Sequence, residues 1–174
     1  LLSQAEHCAD SQVILLTTSA KLADEVQKEV KVQLILLPRK SIAEKCLKNS
    51  LILKVPNIKT AVELSNNYAP EHLIVSTKNA ESILDKIINA GSVFVGNYSP
   101  ESAGDYASGT NHSLPTYGYA KSYSGVNVES FMKGITFQTL TEKGLEKISR
   151  TIINLAETEK LDAHANAVKI RLKK

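Results

Sequence analysis

Four short apolar runs, set apart by amphipathic stretches, organise residues 11 to 95. Ser11 to Thr17 (Ser-Gln-Val-Ile-Leu-Leu-Thr) is continuous and aliphatic, the pattern of a parallel strand buried on both faces. Leu22, Val26, Val30, Leu34 and Leu37 then recur at helical spacing until Pro38 stops the helix, and Ser41 to Lys48 reads as a second, shorter helix. Leu51 to Val55 is the next strand, closed by Pro56. Asn57 caps a helix whose apolar face is Ile58, Ala61, Val62 and Leu64. Pro70 biases Ala69 away from helical geometry, so that helix ends near Tyr68. Leu73 to Ser76 is the third strand. Glu81 to Asn89 reads as a helix with Ile83, Leu84, Ile87 and Ile88 inward, terminated at Gly91, and Ser92 to Val95 is the fourth strand. Strands alternating with helices at this spacing predict right-handed βαβ units and an α/β fold with a mainly parallel sheet, an incomplete Rossmann-like domain. Ligand sites of open α/β sheets form beyond the carboxyl ends of the strands.

The run Asn97 to Gly125 begins at such an end and breaks the pattern. It holds four of the eight glycines, two of the five prolines and five of the six tyrosines, and almost nothing in it reads as core. A polar connection of this length is either disordered or functional, and its aromatic content argues against disorder. Beyond it, Val128 to Lys133 reads as a helical turn and Ile135 to Leu140 as a strand. Thr139 followed by Glu142 fits a capping box. Leu145, Ile148, Ile152 and Leu155 make a helical seam, and Asp162 caps a last helix carrying His164, Val168 and Leu172. The expected organisation is an α/β segment over residues 1–122 and a mainly helical appendage over 123–174 that lacks a full core and packs on something, a partner subunit being one candidate.

Composition narrows the class. The 174 residues suffice for one good-sized domain or a small domain with an appendage, and 43% hydrophobic with 22% charged residues is ordinary for a globular protein. A net charge of +3 with scattered basic residues gives no electrostatic case for nucleic acid. No apolar run approaches a membrane span. Cys8 and Cys46 have no metal-site spacing and read as reduced thiols of a cytoplasmic protein. The chain lacks a starting methionine and opens in what reads as the last turns of a helix, so it is expected to be a fragment of a longer polypeptide. Gly104 to Gly109 has phosphate-loop glycine spacing, but Thr110-Asn111 follows where lysine and a hydroxyl residue are needed. No dinucleotide fingerprint follows any strand.

Candidate chemistry gathers at a few positions. Gln4 and His7 share a helix face and can reach one ion, although a solvated polar face is the plainer reading of that spacing. Glu71-His72 pairs a carboxylate with an imidazole; neighbours on a regular strand point to opposite faces, and a surface strand start is the plain alternative, but an irregular entry after Pro70 would let both face one cleft. Asp105 and His112 sit in the middle of the long loop, and both residue types bind metal or move protons. Spacing and chemistry alone offer His7, Asp105 and one further histidine as zinc ligands, since glutamine is an uncommon one.

Together the motifs closely resemble those of the histidinol dehydrogenase family. Ser3-Gln4-Ala5-Glu6-His7, Ala69-Pro70-Glu71-His72-Leu73, Ser99-Pro100-Glu101-Ser102-Ala103-Gly104-Asp105-Tyr106, Gly109-Thr110-Asn111-His112-Ser113-Leu114-Pro115-Thr116 and Leu161-Asp162-Ala163-His164 occur in the family's order and spacing. The resemblance covers essentially the whole chain, as the C-terminal part of a longer enzyme. It implies oxidation of L-histidinol to L-histidine through an aldehyde, with two NAD+ and a bound zinc. It further implies Gln4, His7, Asp105 and His164 as zinc ligands and Glu71 and His72 as the catalytic pair. The implied substrate contacts are His112, Glu159 and His72 together with the zinc ligands. Glu71 would activate water and His72 would shuttle protons. The resemblance also implies a homodimer whose C-terminal helices complete the partner's site, NAD contacts outside this chain, and a fragment inactive by itself. Two other readings of the residues are a zinc hydrolase using Glu71 to activate water and a non-catalytic dimerisation module.

Overall fold

The computed structural model describes residues 1–173. All four expected strands form: β1 (Ile14–Thr17), β2 (Leu51–Lys54), β3 (His72–Val75) and β4 (Ser92–Val95). Their pairing is parallel throughout, but among the described residues they make two two-stranded sheets and not one of four. β1 lies beside β2 with Ile14 opposite Leu51, and β3 lies beside β4 with His72 opposite Ser92. Alternation along the chain says which strands a crossover can join; it does not say which edges meet.

The helices follow from their caps. A short α1 (Leu2–Ala5) opens the chain. In α2 (Ala20–Leu34) the Ser19 hydroxyl accepts from the Leu22 N–H at 3.2 Å, and the helix ends four residues before Pro38. In α3 (Lys40–Lys48) Ala43 and Cys46 turn inward, where they pack with Ala5 and Val13 in a small apolar core. Asn57 Oδ1 accepts from the Thr60 N–H at 2.9 Å and starts α4 (Ile58–Tyr68) as expected. Both cysteines are free, Cys8 exposed and Cys46 buried.

Two expectations in this region change. The segment read as a helix over Glu81 to Asn89 is a 3-10 helix over Ala80–Lys86. The Asn66 side-chain oxygen accepts from the N–H groups of Ile88 and Asn89, which draws those amides out of any continuing helix. The long run from Asn97 is also not all loop: it contains α5 (Glu101–Tyr106) and a 3-10 turn at Tyr119–Lys121.

The chain divides into two compact units, Leu1–Phe131 and Met132–Lys174. In the second, α6 (Glu142–Thr158) and α7 (Asp162–Leu172) pack on each other and bury Ala156, Ala165 and Val168. The N-cap of α6 is Thr141 and not Thr139; its hydroxyl accepts from the Gly144 N–H at 3.1 Å. Asp162 does not cap α7 but forms its first residue, where a carboxylate faces the positive end of the helix dipole. The turn between the helices explains why. Lys160 is left-handed (φ 60°), its N–H reaches the Glu157 carbonyl at 3.0 Å and the Leu161 N–H reaches the Ala156 carbonyl at 2.8 Å, the paired bonds of a Schellman motif. Leu161 is thereby fixed in the entry position. The strand expected over Ile135 to Leu140 does not form: these residues carry no regular structure, and Ile135 and Phe137 are exposed. A lone β-prone run without an edge to pair with has nothing to hold it extended.

Candidate active site

The site is assembled where β3 begins. Helix α4 ends at Ala69 in the left-handed region (φ 56°), only 1% exposed, and Pro70 follows with its own restricted backbone. The Pro70 carbonyl accepts from the Gly91 N–H and the Glu71 carbonyl from the Ser92 N–H, both at 2.9 Å, so pairing with β4 starts before His72. A Cβ at Gly91 would stand 2.6 Å from the Glu71 carbonyl oxygen, so this approach of the two strands requires glycine. His72 then opens β3, and its ring stacks on Phe94 of β4 with centroids 5.9 Å apart and planes 28° apart.

Phe94 is also the platform for α5. A Cβ on Gly104 would lie 2.6 Å from the Phe94 ring and 2.5 Å from the Thr110 hydroxyl, so glycine brings the helix backbone down onto the ring. That contact delivers Asp105 to His72: Asp105 Oδ1 is 3.9 Å from His72 Nε2 and 3.0 Å from His112 Nδ1. One turn earlier on α5, Glu101 is buried at 6% exposure. Ligand-type atoms of His72, Glu101 and Asp105 all lie within 4.8 Å of one another.

Burial raises the Glu101 carboxyl above the ordinary glutamate range, and a hydrogen bond shared with Asp105 pushes the same way, while the Gln4 amide opposes it. Asp105 moves down, first through its hydrogen bond from Glu101 and then through that from His112. The pair therefore divides its roles, Glu101 being the carboxyl that more readily holds a proton and Asp105 the one that stays charged. His72 Nε2 is fully enclosed yet has no hydrogen-bond partner. A buried polar atom without a protein partner calls for an explanation, and a nitrogen reserved for a bound group supplies one. Imidazole and carboxylate are ordinary zinc donors, so the cluster's chemistry fits a divalent cation.

His72, Glu101, Asp105 and His112 thus come together, while Gln4 enters only through its pull on the Glu101 carboxyl. His7 follows α1, its N–H bonded to the Gln4 carbonyl at 3.2 Å and its own carbonyl accepting from Arg39, but its exposed ring is not in the cluster. Glu71 is half-buried beside His72 and likewise outside that 4.8 Å group. Glu159 and His164 belong to the second unit, Glu159 closing α6 and His164 in the first turn of α7, both exposed. Glu101 escaped sequence reasoning. The available signal was its four-residue spacing from Asp105 directly after Pro100, which is a helix start that places both carboxyls on one face. The location differs from expectation too. The cluster sits at the amino end of β3, whereas the cleft beyond the carboxyl ends of β3 and β4, about 740 Å³ between Ser76–Ser82 and Val95–Tyr98, contains none of these residues.

An α/β unit that gathers imidazoles, carboxyls and a glutamine amide at the mouth of a strand pair has the equipment of a protein that holds a cation and moves protons on a small molecule. This chain belongs to the histidinol dehydrogenase family, whose profile matches residues 1–172. It is 57% identical over 172 residues to a histidinol dehydrogenase of Bacteroides thetaiotaomicron, covering 99% of this chain and 40% of that protein. It is 56% identical over 173 residues to the Schizosaccharomyces pombe histidinol dehydrogenase, covering 98% of this chain and 39% of that protein. The crystal structure of histidinol dehydrogenase from Elizabethkingia anophelis superposes with a TM-score of 0.89 at 56% identity, over 98% of this chain and 40% of that one. The chain spans about 40% of the length of these relatives. Among the described residues no helix is long and apolar enough to cross a membrane.

Proposed function

We propose that this chain supplies the zinc-binding and proton-handling part of an NAD-dependent histidinol dehydrogenase that converts L-histidinol to L-histidine through L-histidinal in the cytoplasm. The observation that carries the reading is the convergence of His72, Asp105 and His112, residues of three separate family-like motifs, in a single chain of that family. Gln4, His7, Asp105 and His164 would hold the zinc. When bound, the metal supplies a Lewis-acidic anchor that orients the substrate's nitrogen donors and leaves the electron transfer to NAD+.

The chain's own groups do the rest. In the first oxidation His72 would take the hydroxyl proton as the alcohol carbon loses a hydride, for which bound NAD+ would be the acceptor. An aldehyde has no second hydride to give until it is hydrated, so Glu71 takes a proton from water as its oxygen bonds to the aldehyde carbon. His72 would return its first proton to the aldehyde oxygen as the hydrate forms and then take a hydroxyl proton from the hydrate as its carbon loses a second hydride, which a second bound NAD+ would accept; the carboxylic acid left behind ionises to the carboxylate. Stacking on Phe94 holds the His72 ring, and His112 and Glu159 hold substrate. NAD contacts lie in residues outside this chain, so the chain alone is inactive. Residues of the second unit, Glu159 and His164 among them, would complete the site of a partner subunit in a homodimer.

The test is Glu71→Gln in the full-length protein, following NADH formed from histidinol. General base catalysis contributes about 10²–10⁴-fold, so turnover should fall by at least about a hundredfold with bound zinc retained. A variant that turns over at the wild-type rate defeats the role of Glu71.

A further inference from the structure

The His112 side chain is 70% exposed, and its one contact at the site runs from Nδ1 to Asp105 Oδ1 at 3.0 Å. With Nδ1 so engaged, Nε2 is the nitrogen left for a substrate. A side chain that reaches into solvent is aimed by its own backbone, and a loop backbone moves unless it is tied down. The ties around His112 run through Asn111.

The Ser113 N–H donates to Asn111 Oδ1 at 2.8 Å, closing a turn over the intervening His112. At its other end the amide donates from Nδ2 to the Val126 carbonyl, and the Val126 N–H returns to the Ser113 carbonyl at 2.9 Å. Both main-chain polar groups of Val126 thus end on the two residues that flank His112, much as two strands pair, with a side-chain amide standing in for a main-chain donor. Asparagine suits the place because one short side chain offers both an acceptor and a donor. The approach needs Gly125: a Cβ there would lie 2.9 Å from Asn111 Nδ2, 3.0 Å from the Ser113 carbonyl oxygen and 2.8 Å from Leu114 Cδ2. Asn111 is half-buried while His112 and Ser113 are exposed, so the brace is the partly sheltered member of the three.

We infer that Asn111 is a positioning residue for substrate binding: its amide braces the loop on Gly125 and Val126 and so aims the His112 imidazole, without touching substrate itself. The inference rests on the reading of His112 as a substrate contact proposed above. Asn111 then acts through His112 alone, which separates it from a residue that merely holds the loop together.

The experiment is a double-mutant cycle in the full-length protein. KM and kcat for histidinol are measured for wild type, Asn111→Ala, His112→Ala and the variant carrying both changes, with the unfolding midpoint of each. Asn111→Ala should raise KM about 3–10-fold, the worth of one hydrogen bond, and leave kcat nearly unchanged, because the contact is lost from ground and transition states alike. On the His112→Ala background the same change should alter KM by no more than about twofold. Asn111→Asp keeps the acceptor for Ser113, loses the donor to Val126 and should raise KM less; it carries the same cycle if Asn111→Ala does not fold. A KM for Asn111→Ala within about twofold of wild type overturns the inference, and so do shifts that multiply in the doubly substituted protein, which would leave Asn111 a purely structural role. If His112→Ala leaves KM unchanged, the substrate contact of His112 falls and this inference with it. A KM that rises in His112→Ala but not in Asn111→Ala overturns this inference alone.

Discussion

Replacing Gly104 by alanine sets two effects against each other on α5. Alanine suits a helix better than glycine by about 1 kcal/mol, which favours the variant. Against it, the new methyl would lie 2.6 Å from Phe94 Cε1 and 2.5 Å from Thr110 Oγ1, and overpacking of this kind costs about 1–3 kcal/mol. The outcome depends on which neighbour can yield. Thr110 is exposed, and its hydroxyl ends a side chain that can rotate away. Phe94 is 6% exposed and carries the stacked His72 ring, so it cannot move alone. To regain ordinary contact at 3.4 Å the ring must retreat by about 0.8 Å. Of the two effects the clash prevails, and the net loss is up to about 2 kcal/mol. Because His72 travels with Phe94, turnover should suffer more than stability: a displacement near 1 Å can cost about a hundredfold in rate. Urea unfolding of the full-length protein, followed by circular dichroism, measures the first quantity and NADH formation the second. Gly134→Ala is the control, since a Cβ there meets nothing within 4 Å, and should stay within about 0.5 kcal/mol of wild type. A Gly104→Ala variant as stable and as active as wild type would show that the ring has room and that the platform is not rigid.

Two other perturbations probe separate parts of the chain. Thr141→Ala removes the hydroxyl that accepts from the Gly144 N–H at 3.1 Å and should destabilise α6 by about 1 kcal/mol, while Thr139→Ala should be neutral; hydrogen exchange over the first turn of α6 reads the difference. Removing the metal by a chelator should abolish NADH formation and lower the unfolding midpoint, with both restored by zinc; at a hundredfold excess over the dissociation constant the linked stabilisation is about 2.7 kcal/mol, and an unchanged midpoint would speak against a bound metal.

The strands were legible in the sequence because a continuous aliphatic run bounded by proline or glycine has few other destinies, as Leu51 to Pro56 shows. Caps were legible where the residue type was unambiguous: Asn57 and Ser19 start their helices as their chemistry requires. Near the tail, Thr139 and Thr141 compete, and only the backbone register decides between them. Sheet partnership was not legible, since the edge that accepts β3 is chosen by packing over distance. At the site, Asp105, His72 and His112 could be picked by residue type, but their meeting could not, because it passes through Phe94 and Gly104, neither of which carries reactive chemistry. Glu101 was hidden for the same reason: a glutamate in a glycine-containing six-residue helix looks like solvated surface until its burial is seen.

The shortness of α5 has a consequence for the order of events in folding. Isolated helices below about 12–15 residues are marginal in water, and α5 has six. It gains a reason to exist only when Phe94 is in place beneath Gly104, and Phe94 is in place only when β3 and β4 have paired. Asp105 and Glu101 therefore reach their positions as the last act of this part of the chain. A cation held by these two carboxyls would therefore meet a pocket already cast and not a tether around which the chain must find its shape.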